Sequence, residues 1–442
     1  MPSSKHRSRS KASAPPWELR AAEGLLWLLL FTVSLLLVPT AQEAFRLPKL
    51  LAAEVLALAS LVPLALHLRT RETVEPGEIG RLPVVRAVVP FVLVATAGLA
   101  VTAHVAGVRE GLIDLWIGAA ALVGWSLGLP RERLRRLLAG LVVPATLLAL
   151  LGILQIHGLA EPLGFFGLEG MERMRWTSLA GNPGDLAGLL ALAALAAQAE
   201  IHRRQGRGRW MAGLLLGVLL YALVGTRTLG GIAAVAMGSL VFWGVTLPPK
   251  RFLPWAGAGL AALVAVVVLV APVRDRLGGV TEAMQEGNWN QALTGRLDGW
   301  RAALWMTSEH PATGVGHGAY GSVYVDAKRA LLDEGVEFSR ALQTTVFANA
   351  HNELLEVMAE TGIPGLLALG FGIWVLVGRA RRIDPEAGAP GDPGLVWGGL
   401  GVLAVLSLVH FPFRLALTAY PATLWLAWIF RAARAPEAGE VP

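Results

Sequence analysis

The sequence alternates long apolar runs with short polar stretches, and this pattern constrains the fold more than any other feature. A helix that crosses a membrane needs about 20 consecutive apolar residues. Twelve runs approach that length: residues 22–39, 47–68, 87–107, 111–129, 137–157, 184–200, 210–225, 229–247, 253–272, 363–379, 394–413 and 415–431. The chain is therefore predicted to be an all-α integral membrane protein with about twelve transmembrane helices.

The composition agrees with this prediction. Of the 442 residues, 54% are hydrophobic and only 16% are charged, whereas a soluble domain has about 25% charged residues. The chain contains no cysteine, which excludes disulfide bonds, thiolate metal sites and a cysteine nucleophile. The net charge of +6 would suit a nucleic-acid partner, but the positions of the basic residues give it another meaning.

Lys and Arg are concentrated in alternate loops. If the N-terminus lies in the cytoplasm, the segments on the inside hold 24 basic residues and the short outside loops hold 7. Such a bias is typical of cytoplasmic loops. The net charge is thus a topology signal, and no nucleic-acid partner is expected. Both termini are predicted to be cytoplasmic, and the long polar stretch after the ninth run is predicted to lie outside.

The chain divides into five parts on this basis. Residues 1–21 are predicted to form a disordered, basic cytoplasmic tail, residues 22–272 to carry helices one to nine, and residues 273–362 to form a large helical outer loop. Residues 363–431 carry the last three helices, and residues 432–442 form a second tail. Because the loop holds an imidazole, guanidinium groups and carboxylates, reactive groups are expected there. Its run Gly314–Gly318 is predicted to be a tight turn and not a nucleotide-binding loop.

Three arginines on the outer side are candidate ligands for an anion. Arg227 lies in a glycine-rich turn with no acidic residue nearby in sequence, so it binds an anion or anchors the turn at the interface. Arg296 begins a predicted amphipathic helix over residues 295–308, and its alternative is a pair with Asp298 or a surface charge. Arg414 lies between the last two spans, where a structural role is the simpler interpretation.

His351 is the candidate general base. We expect Asn349 to cap a helix that contains His351 in its first turn and ends at Gly362. The helix dipole would keep the imidazole neutral, as a general base near pH 7 requires. No second histidine follows in a His-Glu-x-x-His pattern, so a zinc site is poorly supported. His410, well inside the eleventh run, is interpreted as an interhelical or interfacial side chain.

Five short motifs together resemble the O-antigen ligase and polymerase superfamily, which comprises bacterial multi-pass glycosyltransferases. The motifs are Ser178-Leu179-Ala180-Gly181-Asn182-Pro183, Gly225-Thr226-Arg227, Gly295-Arg296-Leu297-Asp298-Gly299-Trp300, Pro311-Ala312-Thr313-Gly314-Val315-Gly316 and His351-Asn352-Glu353-Leu354-Leu355-Glu356. The resemblance covers residues 176–365 well. The flanking spans resemble the family only in topology.

The resemblance implies a site of two arginines and one histidine, which by motif are Arg227 and Arg296 for the donor diphosphate and His351 for catalysis. Arg414, Asn352, Glu353 and Asp298 are possible accessory residues. The implied donor is an undecaprenyl diphosphate-linked glycan and the acceptor is a lipid or glycan. No metal, nucleotide sugar or other cofactor is implied. The site would face the periplasm from the inner membrane.

The function expected from the sequence is that of an O-antigen ligase, which moves a lipid-linked glycan onto an acceptor such as lipid A–core. The first alternative is a repeat-unit polymerase for O-antigen or exopolysaccharide with the same donor. A protein O-oligosaccharyltransferase of the same superfamily comes next. From another class, a twelve-helix transporter is least favoured, because such transporters often have two similar halves and this chain has one large outer loop.

Overall fold

The computed structural model describes residues 16–41, 43–71, 76–159, 177–338, 346–383 and 391–432. Within these residues the chain is mainly helical and contains no β-strand, which confirms the all-α prediction. The α-helices are, in chain order, α1 (Trp17–Leu35), α2 (Leu47–Arg71), α3 (Pro83–Ala97), α4 (Val105–Gly128), α5 (Arg131–Gly140), α6 (Val142–Ile156), α7 (Pro183–Arg203), α8 (Gly206–Gly225), α9 (Leu229–Thr246), α10 (Pro249–Leu269), α11 (Ala271–Gln285), α12 (Trp289–Ala292), α13 (Arg296–Glu309), α14 (Tyr320–Asp333), α15 (Glu353–Arg381), α16 (Asp392–Val409) and α17 (Ala416–Ala432).

In the described part of the chain, ten helical segments are long and apolar enough to cross a membrane, with α5 and α6 forming one of them. Each overlaps one of the twelve predicted runs, and the two remaining runs coincide with α1 and α17. α1 carries three charged residues near its start, and α17 has only 17 residues. The chain is a multi-pass membrane protein, and the count of twelve stays a prediction.

The two predicted cytoplasmic tails fall mostly outside the described residues, which begin at residue 16 and end at residue 432. The predicted disordered tail extends to residue 21, but its last five residues are helical, because α1 begins at Trp17. Leu19 and Ala22 on its first turns are buried, so the helix is stabilised by packing that begins before the purely apolar run.

α7 is the most deeply buried helix of the bundle and packs against α6, α8, α9, α16 and α17. Its residues are mostly Ala, Leu and Gly, which let neighbouring backbones approach closely in a membrane. At Gly231 of α9, for example, an added Cβ would lie 2.7 Å from the Cβ of Ala187. Two carboxylates mark the ends of α7: Asp185 in its first turn and Glu200 in its last.

The ion pairs at the two ends of α7 follow the predicted alternation of loops. At one end, Glu200 lies 3.2 Å from Arg135, which also lies 2.7 Å from Asp392, and all three belong to helix ends predicted to be cytoplasmic. At the other end, Asp185 lies 2.9 Å from Arg46, in a loop predicted to be outside. The ion pairs therefore join helix ends that the basic-residue pattern predicts to lie on the same side of the membrane. Which side faces the cytoplasm stays a prediction.

The long segment between α10 and α15 contains α11 to α14, and α13 corresponds to the predicted amphipathic helix. α13 and α14 share a second apolar cluster with the start of α4, which includes Val108, Met306, Tyr320 and Tyr324. The contact with α4 is close, because an added Cβ at Gly111 would lie 2.7 Å from the Cα of Gly318. This segment therefore packs onto the ends of membrane helices and is not a separate unit.

The orientation of this segment gives a direct prediction. Because the chain has no cysteine, a single Glu334→Cys variant can be labelled uniquely. Gly335 beside it has a φ of 83°, where a side chain is strained, so the exposed Glu334 is the better site. We expect Glu334→Cys to react with a membrane-impermeant thiol reagent in intact cells whose outer membrane is permeabilised, because the positive-inside pattern puts it outside.

The matched control is Arg207→Cys, an exposed position near the start of α8 that is predicted to be cytoplasmic. It should stay unlabelled until the cells are lysed. The reverse result, with Arg207→Cys labelled and Glu334→Cys protected, would invert the topology.

Candidate functional site

His351 lies two residues before α15 and adopts a left-handed backbone conformation, with φ at 56°. The residue that caps the helix is Asn352, whose side-chain oxygen accepts hydrogen bonds from the N–H groups of Leu354 and Leu355, both at 3.1 Å. The predicted cap at Asn349 is therefore wrong, and His351 lies before the first turn instead of inside it. Gly362 breaks the helix as predicted, with φ at 66°, although a second helical segment continues directly after it.

The imidazole of His351 is enclosed by aromatic rings. Its centroid lies 4.8 Å from that of Phe411 and 5.9 Å from that of Phe347, both edge-on, and the ring of His410 stacks on it at 6.2 Å and 16°. Burial, and after it the positive charge of Arg296, lowers the pKa of His351 to about 3. The neutral ring is thus favoured as predicted, but burial and a neighbouring guanidinium cause it, and the helix dipole was the wrong reason.

Arg296 begins α13 after two residues with positive φ, Thr294 at 59° and Gly295 at 79°. One turn further along the same face of the helix, Gly299 lies against the chain beside His351: an added Cβ there would be 3.4 Å from the carbonyl oxygen of Ala350. This contact holds the first turn of α13 next to His351. The structure therefore brings together two of the three residues that the motifs singled out.

Arg227 is half-buried in the turn between α8 and α9, with φ at 53°. Gly230 in the first turn of α9 approaches the end of α16, where an added Cβ would lie 2.7 Å from a methyl group of Val409. Val409 precedes His410, whose ring stacks on His351. The Arg227 turn thus lies at the same end of the bundle as His351 and Arg296.

Backbone strain concentrates in the same places. Among the described residues, four that are not glycine have positive φ, and each lies in or directly beside one of the motifs: Ser178, Arg227, Thr294 and His351. A left-handed conformation costs a non-glycine residue about 1–3 kcal/mol and persists only where the surroundings impose it. Such outliers often mark functional sites, so the strain is a second, independent pointer to this region.

Arg414 lies in a single 3₁₀ turn, Pro412–Arg414, and forms ion pairs with two carboxylates of α15. Its Nε lies 3.2 Å from Glu356 Oε1, and its Nη2 pairs with Glu360. Glu356 in turn accepts a hydrogen bond from the N–H of Ala350 at 2.7 Å, and Glu360 lies 3.1 Å from Nδ1 of His317. Arg414 therefore fixes the loop that carries His351, and it is a positioning residue.

We expect Arg414→Met to destabilise the protein, because it leaves two buried carboxylates without their cation. Removing one partner of a buried ion pair costs about 3–5 kcal/mol of the free energy of unfolding. The melting temperature of the detergent-solubilised protein measures this loss. The control is Arg274→Met, whose exposed pair with Asp275 at 3.5 Å should contribute almost nothing. Equal melting temperatures for both variants would contradict the structural role of Arg414.

The other possible accessory residues also have structural partners. Besides capping α15, Asn352 donates a side-chain hydrogen bond to the carbonyl oxygen of Leu408 at 3.3 Å. The buried carboxylate of Glu353 accepts from the N–H of Phe413 at 2.9 Å. Asp298 is fully buried and accepts from the side chain of Asn290 at 2.6 Å. These contacts give each of the three polar side chains a structural role, and their accessory role at the site stays a prediction.

Sequence reasoning missed one pair at this site. The carboxylate of Asp185, 2% exposed, lies 3.4 Å from Nε2 of His410, 9% exposed. His410 follows the last residue of α16, so it caps a helix end and is not well inside a span as expected. Asp185 lies two residues after the Ser178–Pro183 motif, which was the one available signal, but nothing in the sequence links it to a histidine 225 residues later.

A cavity of about 700 Å³ opens between α3, α4, α15, α16 and α17. Its walls are mostly aliphatic and aromatic, and the ionisable side chains that line it include Asp114, His317, Glu353 and Arg414. Leu354 and Leu408 also line it. Both lie close to the His351 cluster, which consists of His351 and its ring neighbours Phe347, His410 and Phe411. The cavity therefore joins the polar site to the apolar interior of the bundle, and its volume is within the range of ligand pockets, about 300–1,000 Å³.

Comparison with known proteins agrees with the motifs. Residues 212–370 match the family model described as O-antigen ligase, a stretch that includes Arg227, Arg296 and His351. No curated protein matches the chain. This match supports placing residues 212–370 in the O-antigen ligase superfamily.

Proposed function

We propose that this protein is a ligase-type glycosyltransferase, which moves a glycan from an undecaprenyl diphosphate carrier onto an acceptor such as lipid A–core. The reaction takes place on the periplasmic face of the inner membrane, with both termini in the cytoplasm. It needs no metal, because Arg227 and Arg296 bind the donor diphosphate and His351 is the base. The observation that carries the proposal is the half-buried imidazole of His351 held beside Arg296.

The chemistry requires an anion site and a base, since the donor carries its own leaving group. The acceptor hydroxyl oxygen attacks the anomeric carbon, its proton passes to His351, and the C–O bond to the diphosphate breaks with both electrons on the leaving oxygen. Arginine suits the diphosphate because its planar fork matches two oxygens and it keeps its proton. The simplest course is a single displacement with inversion at the anomeric carbon.

Donor binding also activates the base. In the free protein the charge of Arg296 contributes to the low pKa of His351. A diphosphate bound to Arg296 offsets that charge, so it raises the pKa of His351 toward the range in which a general base is effective. His351 then accepts a proton only when the donor is bound, and the imidazole stays neutral in the empty enzyme.

The apolar cavity between α3, α4, α15, α16 and α17 suits the prenyl chain of the donor. Its mostly aliphatic lining begins near the His351 cluster and continues along the membrane helices. A prenyl chain buried there would anchor the donor with its diphosphate at the polar end. Such burial is favourable by about 25 cal/mol per Å² of apolar surface.

A repeat-unit polymerase is the main alternative, because it uses the same donor and differs only in the acceptor. A protein O-oligosaccharyltransferase differs in the same way. A transporter is the alternative from another class, and the buried base beside a guanidinium speaks against it, since transport of a glycan requires no base.

Reconstitution distinguishes these functions. Purified protein in liposomes is supplied with an undecaprenyl diphosphate-linked glycan and, separately, with lipid A–core, a second lipid-linked glycan or an acceptor peptide. A ligase joins the glycan to lipid A–core, and a polymerase lengthens the lipid-linked glycan. Movement of intact donor across the bilayer, without any new glycosidic bond, would refute the proposed function.

A further inference from the structure

With donor and acceptor bound, the proton on His351 needs somewhere to go. His351 is half-buried, and its described ring neighbours are Phe347, Phe411 and His410. Substrates that approach from the open side cover the remaining exposed face. Of the three ring neighbours, only His410 has a nitrogen that accepts a proton.

The surroundings of His410 prepare it for that task. Its Nε2 faces Asp185 Oδ1 at 3.4 Å, and within the described residues neither atom has a hydrogen-bond partner. The other oxygen of Asp185 is held by Arg46 through Nε at 3.0 Å and Nη2 at 2.9 Å. A carboxylate fixed in this way favours a proton on Nε2 of His410, which leaves Nδ1 as the acceptor.

We propose that Asp185 and His410 form a proton relay behind His351. This inference rests on the proposed function, since it concerns the proton that glycosyl transfer releases. The N–H bond on His351 breaks, its proton passes to Nδ1 of His410, and it later leaves to solvent, so that His351 is neutral for the next cycle. The ring nitrogens are too far apart for a direct hydrogen bond at a centroid distance of 6.2 Å, so one water bridges them.

The direction of transfer follows from the charges on each side. His351 faces Arg296, which disfavours a positive ring once the diphosphate has left. His410 faces the carboxylate of Asp185, which stabilises a positive ring. Arg46 and Lys49 also lie near Asp185 and partly offset its charge. Asp185 and His410 touch no substrate in this scheme and are positioning residues that act through His351.

The test uses full-length enzyme in liposomes with saturating lipid-linked glycan and acceptor. We expect His410→Gln and Asp185→Asn each to lower the transfer rate about 10- to 100-fold, as loss of a partner that orients a functional histidine does elsewhere. Donor binding should stay close to that of the unmodified enzyme in both variants, and so should the melting temperature of His410→Gln. Asp185→Asn should lower the melting temperature, because it removes the buried charge that pairs with Arg46. The matched control is His157→Gln, because His157 also stacks on a ring, that of Tyr221 at 6.5 Å and 14°, but lies away from His351.

Two readouts separate a relay from a structural role. In a His351→Asn background, His410→Gln should cause no further loss, because residues that act as a unit are not additive. The rate–pH profiles of the unmodified enzyme and of His410→Gln should also differ, because the relay puts a second ionisable group on the path of the proton. If His410→Gln does not fold, Asp185→Asn provides the same test, because Asp185 lies on α7 and faces His410.

Losses that multiply in the double variant, an unchanged pH profile in His410→Gln, or a normal rate in both single variants would each overturn the relay. Failure of the proposed function is a separate result, since the unmodified enzyme would then form no glycosidic bond with any acceptor.

Discussion

A His351→Asn enzyme is expected to bind lipid-linked glycan normally and to transfer it about 10²–10⁴-fold more slowly, the usual effect of losing a positioned general base. Asparagine is the informative replacement because it tolerates the left-handed conformation at φ 56° better than alanine does. Donor binding should survive, since the arginines provide it. Rates under donor saturation and a separate donor-binding measurement distinguish the two effects.

Two further variants test whether that loss of rate comes from the imidazole itself. His351→Gly removes the backbone strain entirely, so an equally slow His351→Gly enzyme assigns the loss to the imidazole. His310→Asn changes an exposed histidine at the end of α13 and should leave the rate unchanged. If His351→Asn retained near-normal turnover, or lost donor affinity in step with its rate, His351 would be structural or a donor contact.

The membrane architecture was predictable because its cause is local. A bilayer selects apolar runs of fixed length, and the cytoplasmic side selects Lys and Arg, so composition along the chain is enough to outline the spans and their alternation. The ends of α7 illustrate this. The ion pairs of Asp185 and of Glu200 lie at opposite ends of the helix, as the alternation of loops predicts. What composition does not give is the boundary of a helix stabilised by packing, as at Trp17.

The candidate site was predictable only in part. Motifs pointed to Arg227, Arg296 and His351, but the local geometry at His351 depends on a tertiary contact. The side chain of Asn349, the expected cap, instead donates to Glu356 at 2.9 Å, and Asn352 caps α15. Two asparagines three residues apart are equivalent in a sequence pattern, and only the position of Glu356 in the folded chain decides between them.

Contacts between residues far apart in the chain could not be predicted from the sequence. From the sequence, Arg414 was only a charged residue at a break between two spans. In the structure it pairs with Glu356 and Glu360, which lie some 55 residues earlier in the chain. Asp185 and His410 belong to different spans and meet only because α7 and α16 pack together. Where a site is assembled from helix ends, sequence identifies members that lie in motifs, and the fold supplies the rest.

The second large effect is expected at Arg296. Arg296→Lys keeps the positive charge beside His351 but loses the fork that matches two diphosphate oxygens. A charge-assisted hydrogen bond is worth about 1.5–3 kcal/mol, so its loss should lower the transfer rate between about 10-fold and 150-fold. Arg227→Lys should behave in the same way, because lysine is no more strained than arginine at that position.

Arg296→Gln then separates the two roles that the geometry gives this residue. It removes the fork and also the charge that helps to lower the pKa of His351, so the pKa of His351 should rise from about 3. Any loss of rate that comes from protonating His351 should therefore begin at a higher pH in Arg296→Gln than in Arg296→Lys. A rate–pH profile of both variants, with the exposed Arg329→Lys as control, measures this shift. Identical profiles would mean that Arg296 does not act on the base, and normal rates in Arg227→Lys and Arg296→Lys would reduce both arginines to surface charges.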